Sequence, residues 1–214
     1  MPDLSKLYDA ILNGDQKTSE AVAKEALAAG VPAIELVSKY MVPAMDEVGR
    51  RYEIEEYFVP ELLLAARAMK AALQHIRPLL VAEGAEPAGR VVIGTVKGDL
   101  HDIGKNIVSA MLEGGGFEVV DLGADVAPQK FVDAVKERKP HLVCLSALLT
   151  VTMPSMRAVI EALKEAGLRD SVKVLVGGAP VTQEFARDIG ADGFGENASI
   201  AVTLARGLVK AQAA

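Results

Sequence analysis

The chain sets 29 acidic against 23 basic side chains over 214 residues, a net charge of −6, with no cluster of Lys and Arg dense enough to follow a phosphate backbone, which excludes general nucleic-acid affinity. Half of the residues are hydrophobic and 24% are charged, enough to build a buried core, and the length suits two small domains. No apolar run approaches bilayer-spanning length, the N-terminus has no signal-like pattern, and Cys144 as the single cysteine excludes an intrachain disulfide or a multi-thiolate metal site, so a reducing, cytoplasmic setting and no membrane role are expected.

Helix signals fill residues 3–83. The segments LYDAIL, SEAVAKEALAAG, PAIELVSKYMVPAMDEVGRRY and PELLLAARAMKAALQHIRPLL predict four helices, with Gly14 and Gly30 at helix ends and Pro32 and Pro60 in first turns. Leu63, Leu64, Met69 and Leu73 are assigned to one buried face of the fourth, as in a small antiparallel bundle, and Pro43 predicts a kink or a break in the third. The segment EGAEPAG, residues 83–89, has no apolar periodicity and reads as a linker. A helical domain is therefore placed at residues 1–86 and a second domain at 89–214.

In the second domain RVVIGTV, FEVVDLG, HLVCLSALL, VKVLVGG and ADGFG alternate with helical patterns, giving five strand–helix units. Continuous apolar strands joined by helices predict an α/β fold with a parallel sheet covered on both faces, doubly wound and flavodoxin-like in strand order. Ligands of such sheets sit beyond the carboxyl ends of the strands, where the order reverses between the first and third. Three loops converge there: Gly98 to Gly104, Ser146 to Thr152, and Gly177 to Pro180. His101 lies in a glycine-flanked loop, with Asp99 two positions earlier to accept its other ring proton, as metal-ligating histidines require. Gly177 and Gly178 are expected to leave a narrow slot against backbone, which a side chain at 178 would fill without disturbing the fold.

The string Asp99-x-His101-x-x-Gly104, followed by Ser146-x-Leu148 and then Gly177-Gly178, resembles the cobalamin-binding signature of methionine synthase and of the corrinoid proteins of methylotrophic methyltransferase systems. The segment VGRRYEIEEYFVPELLLAARAMKAAL is similar to the helical cap of the same family, so the resemblance spans most of the chain. It implies that His101 is the lower axial ligand of cobalt in cobalamin or a related corrinoid, carried as methylcobalamin in one state. Asp99 hydrogen-bonds His101, and Thr152 supplies the hydroxyl that extends the relay. Gly98, Leu100, Asp102 and Gly104 accompany the ligand in its loop. Ser146 and Thr150 bind the displaced nucleotide tail, Leu148 packs on it, and Gly177 and Gly178 make room for it. Ala198 is another cofactor-contacting position, and Tyr52 and Val59 cover the upper face. The implied activity is that of a methyl carrier, accepting a methyl group on cobalt(I) from a substrate-specific methyltransferase and passing it to a second methyltransferase, with a reductive activator as a further partner.

Other readings of these features are weaker. The loop after the first strand lacks GxGxxG spacing and no GxxxxGK is present, which excludes the common phosphate cradles. Asp99, His101 and Asp102 crowd into four residues, a poor geometry for zinc or iron. His75 and His141 lack comparable neighbours and are expected to be structural or exposed, Cys144 to be inert core, Gly114-Gly115-Gly116 to be a helix stop and turn, and residues 136–139 to be a solvated helix end. A mutase subunit shares the α/β half without needing the bundle. A cobalamin-responsive regulator shares both halves but needs an output segment, whereas this chain starts at the first bundle helix, so a standalone carrier is expected.

Overall fold

The computed structural model describes residues 3–82 and 84–213; Met1, Pro2, the linker residue Glu83 and Ala214 lie outside the described residues. The chain divides into two compact units: one runs up to Pro87 and takes in Glu113–Gly116, the other comprises Ala88–Leu112 and the chain from Phe117 onward.

The helical unit is built from α1 (Ser5–Leu12), α2 (Gln16–Ala28), α3 (Ala33–Leu36), α4 (Val42–Glu53) and α5 (Val59–Ala82). Asp15 caps α2 by accepting the Thr18 amide, and Pro32 is the N-cap of α3. A single π-turn, Val37–Met41, joins α3 to α4, so that Ala33–Glu53 is one rod despite Pro43. Where a kink or a break was expected at Pro43, the helix continues through a widened turn. Proline lacks an amide and its ring crowds the carbonyl four residues back, and a wider turn accommodates both without ending the helix. The buried face of α5 is Leu62, Ala65, Ala66, Met69, Ala72, Leu73 and Ile76, whereas Leu64 is exposed. Of the expected face Met69 and Leu73 are buried, Leu63 is only half-buried and Leu64 is exposed, because Leu64 lies two positions, about 200° of helix, beyond Leu62. Small side chains let α2 and α5 approach closely, and the buried Ser19 hydroxyl donates to the Ala68 carbonyl at 2.9 Å.

The second unit holds β1 (Arg90–Thr95), α6 (Ile103–Gly114), β2 (Glu118–Asp121), α7 (Pro128–Arg138), β3 (Leu142–Ser146), α8 (Pro154–Glu165), β4 (Lys173–Gly177), α9 (Gln183–Ile189), β5 (Gly193–Gly195) and α10 (Ala198–Ala213). All strand pairs are parallel and the order is β2-β1-β3-β4-β5, the flavodoxin-like arrangement, with the reversal between β1 and β3. Val92, Val143, Leu145, Val174 and Val176 pack with Phe131 of α7 and Val159, Ile160 and Leu163 of α8 in one core. Cys144 is buried in β3, and burial pushes its thiol up to about 12, so it is inert. Register places Thr95, Ser146, Gly177 and Gly195 side by side across four strands. From this row of small residues the chain leaves β1, β3 and β4 into the three loops singled out above, all at one end of the sheet.

Among the described residues no helix is long and apolar enough to cross a membrane.

Candidate functional site

Asp99 is fully buried at the carboxyl end of the sheet, and its carboxylate accepts from three amides and a hydroxyl and faces the His101 ring. Its Oδ1 accepts the His101 amide at 3.0 Å and faces the His101 Nδ1 at 2.8 Å. Its Oδ2 accepts the Leu148 amide at 2.7 Å, the Leu149 amide at 3.3 Å and the Thr152 hydroxyl at 2.8 Å. Burial alone would push this carboxyl up. The amides of His101 and Leu148, the Thr152 hydroxyl and the His101 ring together outweigh burial and hold it well below the usual carboxylate range. An ionised carboxylate only accepts, so Nδ1 of a neutral His101 carries the hydrogen and the lone pair is left on Nε2. That atom has no partner among the described residues, and the His101 side chain is 51% exposed.

The loop carrying His101 is braced beneath. The buried Thr95 hydroxyl donates to the His101 carbonyl at 3.0 Å, and the Asp99 amide donates to the Val96 carbonyl at 3.1 Å. The Asp102 carboxylate accepts from the Asn106 side chain at 3.1 Å, one turn into α6. Lys105 in the same turn is almost completely buried, and its ammonium meets Asp121 at the end of β2 and, at 2.7 Å, the side-chain Oδ1 of Asn106. Asp121 in turn accepts the Gly123 amide at 2.8 Å, and the Gly123 carbonyl accepts the Thr95 amide at 2.9 Å. The two ends of the Lys105–Asp121 pair are unequal, because Asp121 is 37% exposed and Lys105 only 2%. Asp121→Ala leaves a buried ammonium without its counter-charge and should cost about 3 kcal/mol, whereas Lys105→Met leaves a carboxylate that water reaches and should cost about 1 kcal/mol or less. Urea unfolding of both variants checks the order.

Large apolar side chains are exposed around His101: Leu100 (77% exposed), Ile103 at the start of α6 (73%) and Val151 (80%), with Leu148 and Leu149, stand at this end of the sheet beside the exposed polar Asp102, Asn106 and Thr150. An imidazole lone pair set among such apolar side chains is suited to a metal held in a large, flat, apolar ligand.

Comparison with known families decides which. A family model described as a B12 binding domain matches residues 89–203, a second model of the same description matches residues 4–77, and trimethylamine corrinoid protein 1 of Methanosarcina acetivorans is 46% identical over 208 residues, 96% of each chain. This chain belongs to the B12-binding corrinoid proteins. The dimethylamine corrinoid protein of Methanosarcina barkeri is 45% identical over 208 residues, covering 96% of this chain and 97% of its own. The methanol:cobalamin methyltransferase complex of Methanosarcina barkeri contains a chain that superposes with a TM-score of 0.85 at 32% identity, covering 97% of this chain and 80% of that one.

The donor set of this corrinoid protein fits its family's cofactor. Among the described residues no group of three His, Cys, Asp or Glu side chains is placed to hold an ion. His101 is a lone donor, so a metal bound through it must bring its remaining ligands with it, as a corrin does with four ring nitrogens. The glycines divide into two kinds. A Cβ at Gly104 would meet nothing within 4 Å, so packing within the described chain does not require glycine there. Gly177 and Gly178 are different: a Cβ at 177 would lie 3.0 Å from the Gly195 carbonyl oxygen, and one at 178 would lie 1.9 Å from that of Ala147, at a φ of +132°. The expectation that a side chain at 178 spares the fold is therefore corrected, because the chain's own backbone already requires that glycine.

The structure joins His101 and Thr152 through Asp99, places Gly98, Leu100 and Asp102 on the adjoining loop, and puts Gly104 in the first turn of α6. Ser146 ends β3 half-buried, Leu148 and Thr150 are exposed on the loop that follows it, and Ala198, the first residue of α10, is buried. In the helical unit Tyr52 is half-buried near the end of α4 and Val59 is exposed at the start of α5. Between them Tyr57 is pinned by its hydroxyl, which donates to the Leu12 carbonyl at 3.3 Å, and by the Arg51 guanidinium stacked 5.1 Å from its ring centre. Ile54 and Phe58, at 56% and 60% exposure, are the most exposed large apolar side chains of this unit and were missed from sequence. The available signal was two large apolar residues inside the acidic turn Glu53-Ile54-Glu55-Glu56-Tyr57-Phe58. His75 pairs with Glu20 at 3.0 Å, and His141 accepts the Arg90 amide at 3.0 Å, both structural contacts.

Proposed function

We propose that this corrinoid protein is the methyl carrier of a methylamine methyltransferase system, taking a methyl group from a substrate-specific methyltransferase and handing it to a second one. The observation that carries this reading is the solitary imidazole of His101, open at Nε2 and tied at Nδ1 to a buried carboxylate. Similarity over nearly the whole chain to trimethylamine and dimethylamine corrinoid proteins supports methylamines as the donor class, and likeness to a chain of a methyltransferase complex supports docking to such an enzyme.

When bound, the corrinoid supplies a reduced cobalt that takes up a methyl group and releases it to an acceptor. The chain's residues hold and orient it. His101 offers Nε2 to the metal, Asp99 fixes the tautomer and direction of the ring, and Thr152 completes a relay along which a proton reaches or leaves the imidazole. Ser146 and Thr150 would bind the nucleotide tail, Leu148 would pack on it, and Gly177, Gly178 and Ala198 would be further contacts. In this reading residues 89–214 are the cobalamin-binding domain and residues 1–86 the cap domain, with Tyr52 and Val59 as its candidate cofactor-facing residues. A reductive activator that restores the low-valent metal and a cytoplasmic location complete the proposal.

The test is direct. Protein loaded with hydroxocobalamin, reduced, and incubated with a trimethylamine methyltransferase and methyl-labelled trimethylamine should retain label in proportion to bound cobalamin. It should lose that label when a second, thiol-accepting methyltransferase is added. No label from tri-, di- or monomethylamine with their respective methyltransferases would overturn the carrier reading. A light-dependent change in oligomeric state with adenosylcobalamin would favour a sensor instead.

A further inference from the structure

The connection between β2 and α7 contains one residue whose backbone and side chain both serve the His101 loop. Asp125 adopts a φ of +53°, a left-handed conformation that only three described non-glycine residues share. Its amide donates to the Asp99 carbonyl at 2.9 Å, and its Oδ1 accepts the Gly98 amide at 2.8 Å. Gly98 itself turns at a φ of +86°. The next residue, Val126, bridges to Val96 and donates to the Thr95 carbonyl at 3.0 Å, which seats Asp125 directly over the exit of β1. The two bonds made by Asp125 therefore bracket the backbone that carries the Asp99 carboxylate. A left-handed non-glycine residue costs conformational energy, and such conformations persist where surrounding contacts demand them. Here Asp125 makes both bonds, through its amide and its carboxylate, from the left-handed conformation.

We propose that Asp125 is a positioning residue for the axial ligand, clamping Gly98 and Asp99 so that the Asp99 carboxylate, and through it the His101 ring, is held in one orientation. Asp125 touches neither the imidazole nor the metal; it acts through Asp99. The clamp needs an acceptor and tolerance of the left-handed backbone, not a negative charge, and asparagine supplies both. The inference rests on His101 as the axial ligand, so its test has one arm that needs no cofactor.

In the protein without cofactor, Asp125→Ala should speed hydrogen exchange at the Gly98 amide about three- to tenfold, the equivalent of one lost hydrogen bond. In the cobalamin-loaded protein reduced to cobalt(II), the same substitution should lower the fraction of the electron paramagnetic resonance signal that shows coupling to an axial nitrogen. Asp125→Asn should restore both readings. Asp125→Gly, which relieves the backbone but cannot accept, should behave like the alanine variant. The clamp is overturned if Asp125→Ala keeps wild-type exchange and full nitrogen coupling, if Asp125→Asn restores neither, or if Asp125→Gly restores both. Absence of nitrogen coupling in the wild-type protein would instead remove His101 as the ligand, and the exchange measurement would still decide whether Asp125 holds the loop.

Discussion

In the His101→Ala protein, loaded with cobalamin and reduced to cobalt(II), the coupling of the unpaired electron to a single protein nitrogen should vanish. This is an all-or-none effect, because the other imidazole of the α/β unit, His141, is at the opposite, amino end of β3 and accepts the Arg90 amide, and His75 is paired with Glu20. The substitution should leave the protein otherwise intact. His101 is half-exposed, and truncation removes only the interactions of its ring, whereas Asp99 keeps the amide of residue 101, the Leu148 and Leu149 amides and the Thr152 hydroxyl. Unfolding of the cofactor-free variant by urea should therefore stay within about 0.5–1 kcal/mol of wild type. Persistence of the nitrogen coupling in the variant would show that another group ligates the metal and would remove His101 from the centre of the site.

The parts of this design that depend on local pattern were legible in the chain. RVVIGT, LVCLS and KVLV are strands that are apolar on both faces, and such strands alternating with amphipathic helices lead to a covered parallel sheet. The sheet order then put the Asp99, Ser146 and Gly177 loops at one end. The features that escaped depend on contacts the sequence does not display. Leu64 was misplaced because α5 is so rich in Leu and Ala that several helical faces satisfy the same periodicity. Lys105 reads as an ordinary helix lysine, and only the end of β2, 16 residues away, makes it a buried cation. Asp125 carries no sequence signal, because its role rests on a backbone angle and on a partner 27 residues earlier. The glycine pair at 177 and 178 was read as space for a ligand, and it is first of all space for neighbouring strands.

That last distinction yields a large and opposite pair of effects at two glycines of the same site. Gly178 lies just past β4, and a Cβ there would sit 1.9 Å from the Ala147 carbonyl oxygen, a backbone atom that no side-chain rotation can move aside. The Ala147 amide also donates to the Gly177 carbonyl, at 3.3 Å, so relieving the clash pries β3 from β4 at their carboxyl ends. The next two amides along, those of Leu148 and Leu149, are donors to Asp99, so the strain reaches the carboxylate that orients His101. The φ of +132° adds a backbone penalty for any residue other than glycine. Gly178→Ala alone should therefore cost the cofactor-free protein about 3 kcal/mol or more, above the usual range for a single substitution, and Gly178→Val should cost more. Gly104 is the reverse case. A methyl group there enters open space on the first turn of α6, so Gly104→Ala should leave stability unchanged or raise it by up to about 1 kcal/mol through helix propensity, while weakening cobalamin binding. Urea titration of the two cofactor-free variants, followed by cobalamin titration of Gly104→Ala, separates the two roles. If Gly178→Ala unfolds within about 0.5 kcal/mol of wild type, the close approach of β3 and β4 is not what demands glycine at 178, and the ligand slot returns as its explanation.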